Sequence, residues 1–137
     1  MSAAATGVVG AAYHRVATAG DGWMPLWISS ERLAEGSERV SAAAHGRAVT
    51  VAVVLPALIG GTTEEARLYL SRRYNTAFSA HAIERYCLAG PPSACAERIG
   101  EYVAAGAEHI VFNPAVEPGR LAEQIELLAD VTHAAAR

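Results

Sequence analysis

The amino-acid sequence predicts an α/β domain built on parallel strands, and three observations carry that expectation. Short apolar runs alternate with segments whose apolar residues recur at helical spacing. The run Val49 to Leu55 shows no polar alternation after Thr50, and no two-residue hairpin turn joins one apolar run to the next. A strand without polar alternation is expected to be covered by helices on both faces, and each helix then acts as a right-handed crossover between parallel neighbours.

Between Gly10 and Gly20, Tyr13, Val16 and Ala17 share one face at helical spacing, so a short helix is predicted, with Gly20 as its stop. Asp21-Gly22 turns the chain into Trp23 to Ile28, an apolar run rich in the aromatic residues that strands favour, in which Pro25 is tolerable near an edge or bend. Ser29 and Ser30 can each cap a helix start and Glu31 suits its first turn. Leu33, Ser37, Val40 and Ala44 then keep helical spacing until His45-Gly46-Arg47. Val49 to Leu55 is the second predicted strand, and Gly60-Gly61 breaks the chain beyond it.

Thr62 and Glu65 form a capping-box pattern that opens a helix to about Thr76, with Ala66, Leu70 and Tyr74 among its apolar positions. A less regular helical piece, Ser79 to Leu88, leads to Gly90-Pro91-Pro92. Pro92 suits the first turn of the next helix, Ser93 to Ala105, which turns Ile99, Tyr102 and Val103 inward. His109 to Phe112 is the third predicted strand, stopped by Asn113-Pro114. A final helix, Gly119 to Ala136, has Leu121, Ile125, Leu128 and Thr132 on one side. The predicted order is αβαβααβα in a single domain, residues 1–137, without a linker.

Composition narrows the chemistry. The 137 residues and net charge of -3 give no reason to expect nucleic acid or an anionic membrane as a partner. All 11 basic residues are arginine, which removes Schiff-base chemistry and a Walker A phosphate grip. Cys87 and Cys95 are too few for a disulfide scaffold, have no zinc-site spacing, and are expected as buried fillers; no metal site is predicted. Met1 to Thr6 lacks the pattern of a signal peptide. The longest apolar stretch, Val49 to Ile59, is about half of the ~20 residues that a membrane helix needs, so a cytoplasmic protein is expected.

Three segments in this order, "AGDGWMP", "TTEEARLYL" and "AGPPSACAERIGEYVAAGAEHIVFNP" running into "LAEQIELLAD", resemble the C-terminal part of the luciferase-like monooxygenase superfamily, the flavin- and coenzyme F-420-dependent (βα)8 barrel oxidoreductases. The resemblance covers nearly the whole chain and implies a partial barrel, its last half, with three strands plus a stub of a fourth at Val8-Val9-Gly10. Such a chain is short of the roughly 250 residues of a full barrel. It also implies F-420 or FMN as cofactor, hydride transfer through the ring, and ligands at the C-terminal ends of the strands. Gly10, Ala11 and Ala12 match a glycine step whose amides hold the cofactor phosphate at a helix start, although only the first glycine is kept. Pro91-Pro92-Ser93-Ala94 departs from the family's usual helix start, a difference of cap stability rather than chemistry.

The same geometry makes Trp27, Tyr74 and Asn113 candidates for a substrate pocket, with Arg72, Arg73 and His81 in the region of the substrate-side wall. Each has a structural alternative. Trp27 can equally plug a core, Asn113 can close a strand by bonding its own backbone, and the arginines can lie on a solvated helix face. His14, His45, His109 and His133 stand singly, as surface or cap residues do. No Ser-His-Asp order, GxSxG motif or paired carboxylates of glycoside chemistry are present, and the catalytic residues are unassigned. The expected function is a C-terminal fragment of such an oxidoreductase, acting on a small molecule and inactive alone. The alternative is a non-catalytic remnant. In either case the open strand edges predict a homo-oligomer or a partner chain that supplies the missing half barrel. A flavodoxin-like receiver fits the length but lacks the acidic pair and the lysine.

Overall fold

The computed structural model describes residues 3–74 and 80–136, with side chains from 11–74 and 83–136. Six α-helices and four strands are found among them: α1 Ala3–Ala19, β1 Gly22–Trp23, α2 Ser30–Ala43, β2 Thr50–Ile59, α3 Thr63–Arg73, α4 Ala80–Tyr86, β3 Leu88–Gly90, α5 Pro92–Ala104, β4 His109–Pro114 and α6 Leu121–Ala135. The predicted start of a helical piece at Ser79, the expected end of α3 at Thr76 and the His81 side chain lie outside the described residues.

All strand pairings are parallel, and all involve β2. Val54 is bridged by Leu26 and by Val111, and Ala57 by Leu88 and by Pro114. A strand residue has one partner on each edge, so β1 and β3 share one edge of β2, near its start and its end, and β4 occupies the other. The sheet is three strands wide and does not close.

The first strand is shorter than Trp23 to Ile28. Regular pairing stops at Trp23, and beyond it remain the Val54 N–H donating to the Pro25 carbonyl at 3.0 Å and the isolated Leu26–Val54 bridge. β2 continues through Pro56 to Ile59 instead of ending at Leu55. The N–H that Pro56 lacks would face the same edge as that of Val54, where the first strand has departed at Trp27 and β3 has not begun, so no ladder bond is lost. β3 was not expected; three residues ending in glycine carry no periodicity to read. Val8 to Gly10, expected as a strand end, is helical within α1. A helix satisfies its own backbone groups, whereas a lone strand with no further neighbour cannot.

Val51, Val53, Leu55, Ala57 and Ile59 point from β2 into the main core, where they meet Leu33 of α2, Ile99 and Tyr102 of α5, and Leu128 and Val131 of α6. Ser29 caps α2 by accepting from the Arg32 N–H, and Thr62 with Glu65 makes the predicted capping box of α3. The inward face of α6 is Gln124, Leu128 and Val131; Leu121 and Ile125, expected inside, are exposed, as is Val103 of α5. The helix is turned so that Gln124 reaches the end of β2.

The opposite sheet face is not fully covered. Leu58 packs with Ala66 and Leu70 of α3, Ile83 of α4 and Ala89 of β3, which covers the C-terminal end of that face. Farther toward the strand starts, Met24, Leu26 and Val111 are 57, 60 and 45% exposed. The expectation that helices cover β2 on both faces therefore holds for one face and for one end of the other.

Candidate functional site

Because every strand runs in the same direction, the residues leaving their C-terminal ends collect on one side of the sheet. Asp21 and Gly22 lie at the other end, with Gly22 in register with Thr50 at the start of β2. The turn at Asp21-Gly22 thus starts the segment that delivers Trp27 toward the candidate site. Such starts serve stability in barrel folds, and strand exits serve ligands.

At Trp27 the backbone enters the left-handed region, φ 54°. A non-glycine residue there costs about 1–2 kcal/mol. Strand alternation would send Trp27 toward the main core. Instead the ring packs with the second cluster, its centroid 5.1 Å from that of Tyr74 at 79°, an edge-to-face pair. Both rings are half-buried. Two of the three predicted pocket residues are therefore brought together, and the packing role considered for Trp27 is part of its environment.

Asn113, the third, is exposed on β4 in register with Pro56, on the same sheet face as Val111. Arg72 and Arg73 are exposed in the last turn of α3. His14, His45, His109 and His133 are all exposed.

Gly10, Ala11 and Ala12 lie well inside α1, which begins at Ala3. Only the first four N–H groups of a helix are free of intrahelical partners. As the helix stands, these amides are bonded within it and are not aimed at an anion.

The exit of β2, a strand end of the kind expected to meet ligands, holds a group whose Tyr69, Glu117 and Arg120 sequence reading missed. Gly60 and Gly61, with φ 116° and 65°, turn the chain beside a cleft of about 220 Å³ lined also by Leu58, Glu65, Tyr69 and Arg120. The Tyr69 hydroxyl donates to Glu117 Oε1 at 2.6 Å, tying α3 to the segment after β4. The Glu117 carboxylate holds the Tyr69 phenol above its ordinary pKa, and the tyrosine's hydrogen bond lowers that of Glu117. A separation of 48 residues between a half-buried tyrosine and an exposed carboxylate leaves no local pattern that could have paired them.

Cys87 and Cys95 are free and buried, as expected of fillers. Burial pushes their thiols up to about 12 and about 11, with Arg98 opposing the shift, so neither is poised as a nucleophile. No described helix is long and apolar enough to cross a membrane.

No protein-family model and no curated protein matches the chain. Solved structures share its fold. An F-420-dependent secondary alcohol dehydrogenase in complex with an F-420–acetone adduct superposes with TM-score 0.75 at 11% identity, over 92% of this chain and 46% of that one. The coenzyme F-420-dependent tetrahydromethanopterin reductase from Methanopyrus kandleri gives 0.66 at 15%, over 87% and 46%. The monooxygenase RslO1 from Streptomyces bottropensis gives 0.69 at 20%, over 93% and 46%. The chain thus spans less than half the length of each, and its unclosed sheet has the fold of a C-terminal fragment of the luciferase-like barrel.

Proposed function

We propose that this chain is the C-terminal half of a luciferase-like, F-420- or FMN-dependent oxidoreductase or monooxygenase, and that it is inactive alone. The observation that supports this most is the match of nearly the whole chain to less than half of such barrels. Trp27 and Tyr74, packed edge to face beside the strand exits, and Asn113 on the last strand are assigned to the substrate side, facing a small molecule.

A bound flavin or deazaflavin would supply hydride transfer at its ring, and the protein's contribution would be to orient that ring and exclude water. The fit of the residues present is partial. Trp27 and Tyr74 provide aromatic surface, but the amides of Gly10, Ala11 and Ala12 do not fit a phosphate while α1 begins at Ala3. A phosphate role for them requires a helix that starts at Gly10. No catalytic step is assigned to this half.

The test is titration of the purified chain with FMN and with F-420, followed by fluorescence, with turnover assayed in parallel. Weak binding without turnover is expected of an isolated half, with both restored when a complementary half barrel is added. Turnover by the chain alone would overturn the proposal of inactivity. A second reading, a non-catalytic assembling remnant, is favoured by the uncovered sheet face, and failure to bind either cofactor in any oligomeric state would select it.

A further inference from the structure

We infer that Tyr102 is a positioning residue for the substrate side: its hydroxyl, acting through the Ile28 carbonyl, holds Trp27 in the backbone conformation that turns the indole out of the main core and against Tyr74. The functional consequence rests on the assignment of Trp27 to that side, whereas the geometry stands on the backbone and the core alone.

The side chains around Trp27 show that the chain changes face there. Trp23 and Ile28 both pack against the main core, although an odd number of positions separates them and an unbroken strand would send them to opposite faces. Trp27, which alternation would place with Trp23, packs against the second cluster instead. The inversion is made at Trp27 itself, where φ is 54°. A bulky residue persists in that region only where its surroundings over-determine the backbone.

Those surroundings grip the chain on both sides of Trp27. Before it, Leu26 is bridged to Val54, whose N–H donates to the Pro25 carbonyl at 3.0 Å. After it, the buried Ser29 caps α2, accepting from the Arg32 N–H at 3.3 Å. Ile28 lies between Trp27 and that cap, and its carbonyl accepts from the Tyr102 hydroxyl at 2.6 Å. Tyr102 is fully buried on α5, in the core cluster against which Ile28 packs. Burial raises its phenol pKa, so the hydroxyl keeps its proton and donates. The side chain and the carbonyl of Ile28 are thus fixed together, and with Leu26 fixed as well, the single residue between them has to make the turn. A hydroxyl in the core thereby sets the direction of a ring at the strand exits.

The experiment is NMR on the full chain and on Tyr102→Phe, with Ile99→Val as a truncation in the same helix and cluster that leaves the hydroxyl in place. In the unaltered chain the Trp27 Cα chemical shift should be that of a left-handed residue, and the Tyr102 hydroxyl proton should exchange slowly enough to be observed, with cross-peaks to Ile28. In Tyr102→Phe the Trp27 backbone and indole N–H resonances should move, and the Trp27–Tyr74 coupling from a double-mutant cycle should be lost; in Ile99→Val both should stay. Unmoved Trp27 resonances in Tyr102→Phe, or equal changes in Ile99→Val, would overturn the inference. Should Tyr102→Phe fail to fold, the unaltered chain decides, since an unprotected hydroxyl proton would overturn the inference and a protected one with those cross-peaks supports it. No cofactor enters these measurements: failure to bind FMN and F-420 would remove the substrate-side assignment of Trp27 and leave its link to Tyr102, whereas an unmoved Trp27 would do the reverse.

Discussion

Gln124 pairs with Ile59 as one peptide group pairs with another. Its Oε1 accepts from the Ile59 N–H at 3.0 Å and its Nε2 donates to the Ile59 carbonyl at 2.9 Å, with the side chain fully buried. The last residue of β2 thereby satisfies both backbone groups against a helix rather than a strand. Gln124→Leu keeps much of the volume but leaves a buried donor and a buried acceptor without partners. At about 1–3 kcal/mol for each unsatisfied group, urea unfolding should register a loss of roughly 2–6 kcal/mol. An unchanged midpoint would mean that water replaces the amide.

Two glycines in helices should respond to alanine with opposite sign. A Cβ on Gly36 would overlap Trp23 Cη2 and stand 2.9 Å from the Tyr13 hydroxyl, and the rings of these two residues pack edge to face at 5.4 Å. Overpacking of about 1–3 kcal/mol or more exceeds the roughly 1 kcal/mol gained in helix propensity, so Gly36→Ala should lower the melting temperature. Gly100 meets nothing within 4 Å and lies inside α5, so Gly100→Ala should raise it, by about 0.5–1 kcal/mol in stability. Calorimetry on the two variants reads both signs.

For Trp27 and Tyr74, a double-mutant cycle with Trp27→Leu and Tyr74→Leu separates ring contact from burial. Edge-to-face pairs contribute about 0.5–1.5 kcal/mol beyond the area they cover, and a coupling in that range is expected from chemical denaturation. Additive single effects would show that the rings are merely neighbours in the second cluster.

The buried thiols give a pH dependence with a defined sign. Cys87 and Cys95 rise from an ordinary 9.0 to about 12 and about 11, so the unfolded chain loses these protons before the folded one does. Their contribution to stability is complete below pH 9 and is lost as pH rises toward 12. Burial also raises the Tyr102 phenol, whose hydroxyl donates to the Ile28 carbonyl at 2.6 Å, and it acts in the same direction. Denaturation midpoints should fall across that alkaline window, and thiol reagents at pH 8 should label the native chain far more slowly than the unfolded one.

The α/β class, the parallel strands and most helix positions were legible because caps and periodicities are local: Ser29, the Thr62–Glu65 box and Pro92 all stand where the sequence places them. Three features were not legible. β3 is too short to show a period. The inward face of α6 is set by one polar residue finding a strand end, against the apolar pattern of Leu121 and Ile125. The helical state of Val8 to Gly10 runs against the β-branched Val8-Val9 pair, which carries no local helix signal. At the site, Trp27 and Tyr74 were singled out from position in the chain, whereas the Tyr69–Glu117 link depends on contact across distant segments.

β2 is the hub of the sheet: β1, β3 and β4 each pair with it, and no two of them pair with one another. During synthesis on a ribosome, β2 emerges before two of its three partners, since Ala52 must wait for His109 and Ala57 for Leu88. Assembly of the sheet is consequently a late event with distant chain closures, the kind that proceeds slowly and leaves apolar surface open to chaperones in the interval.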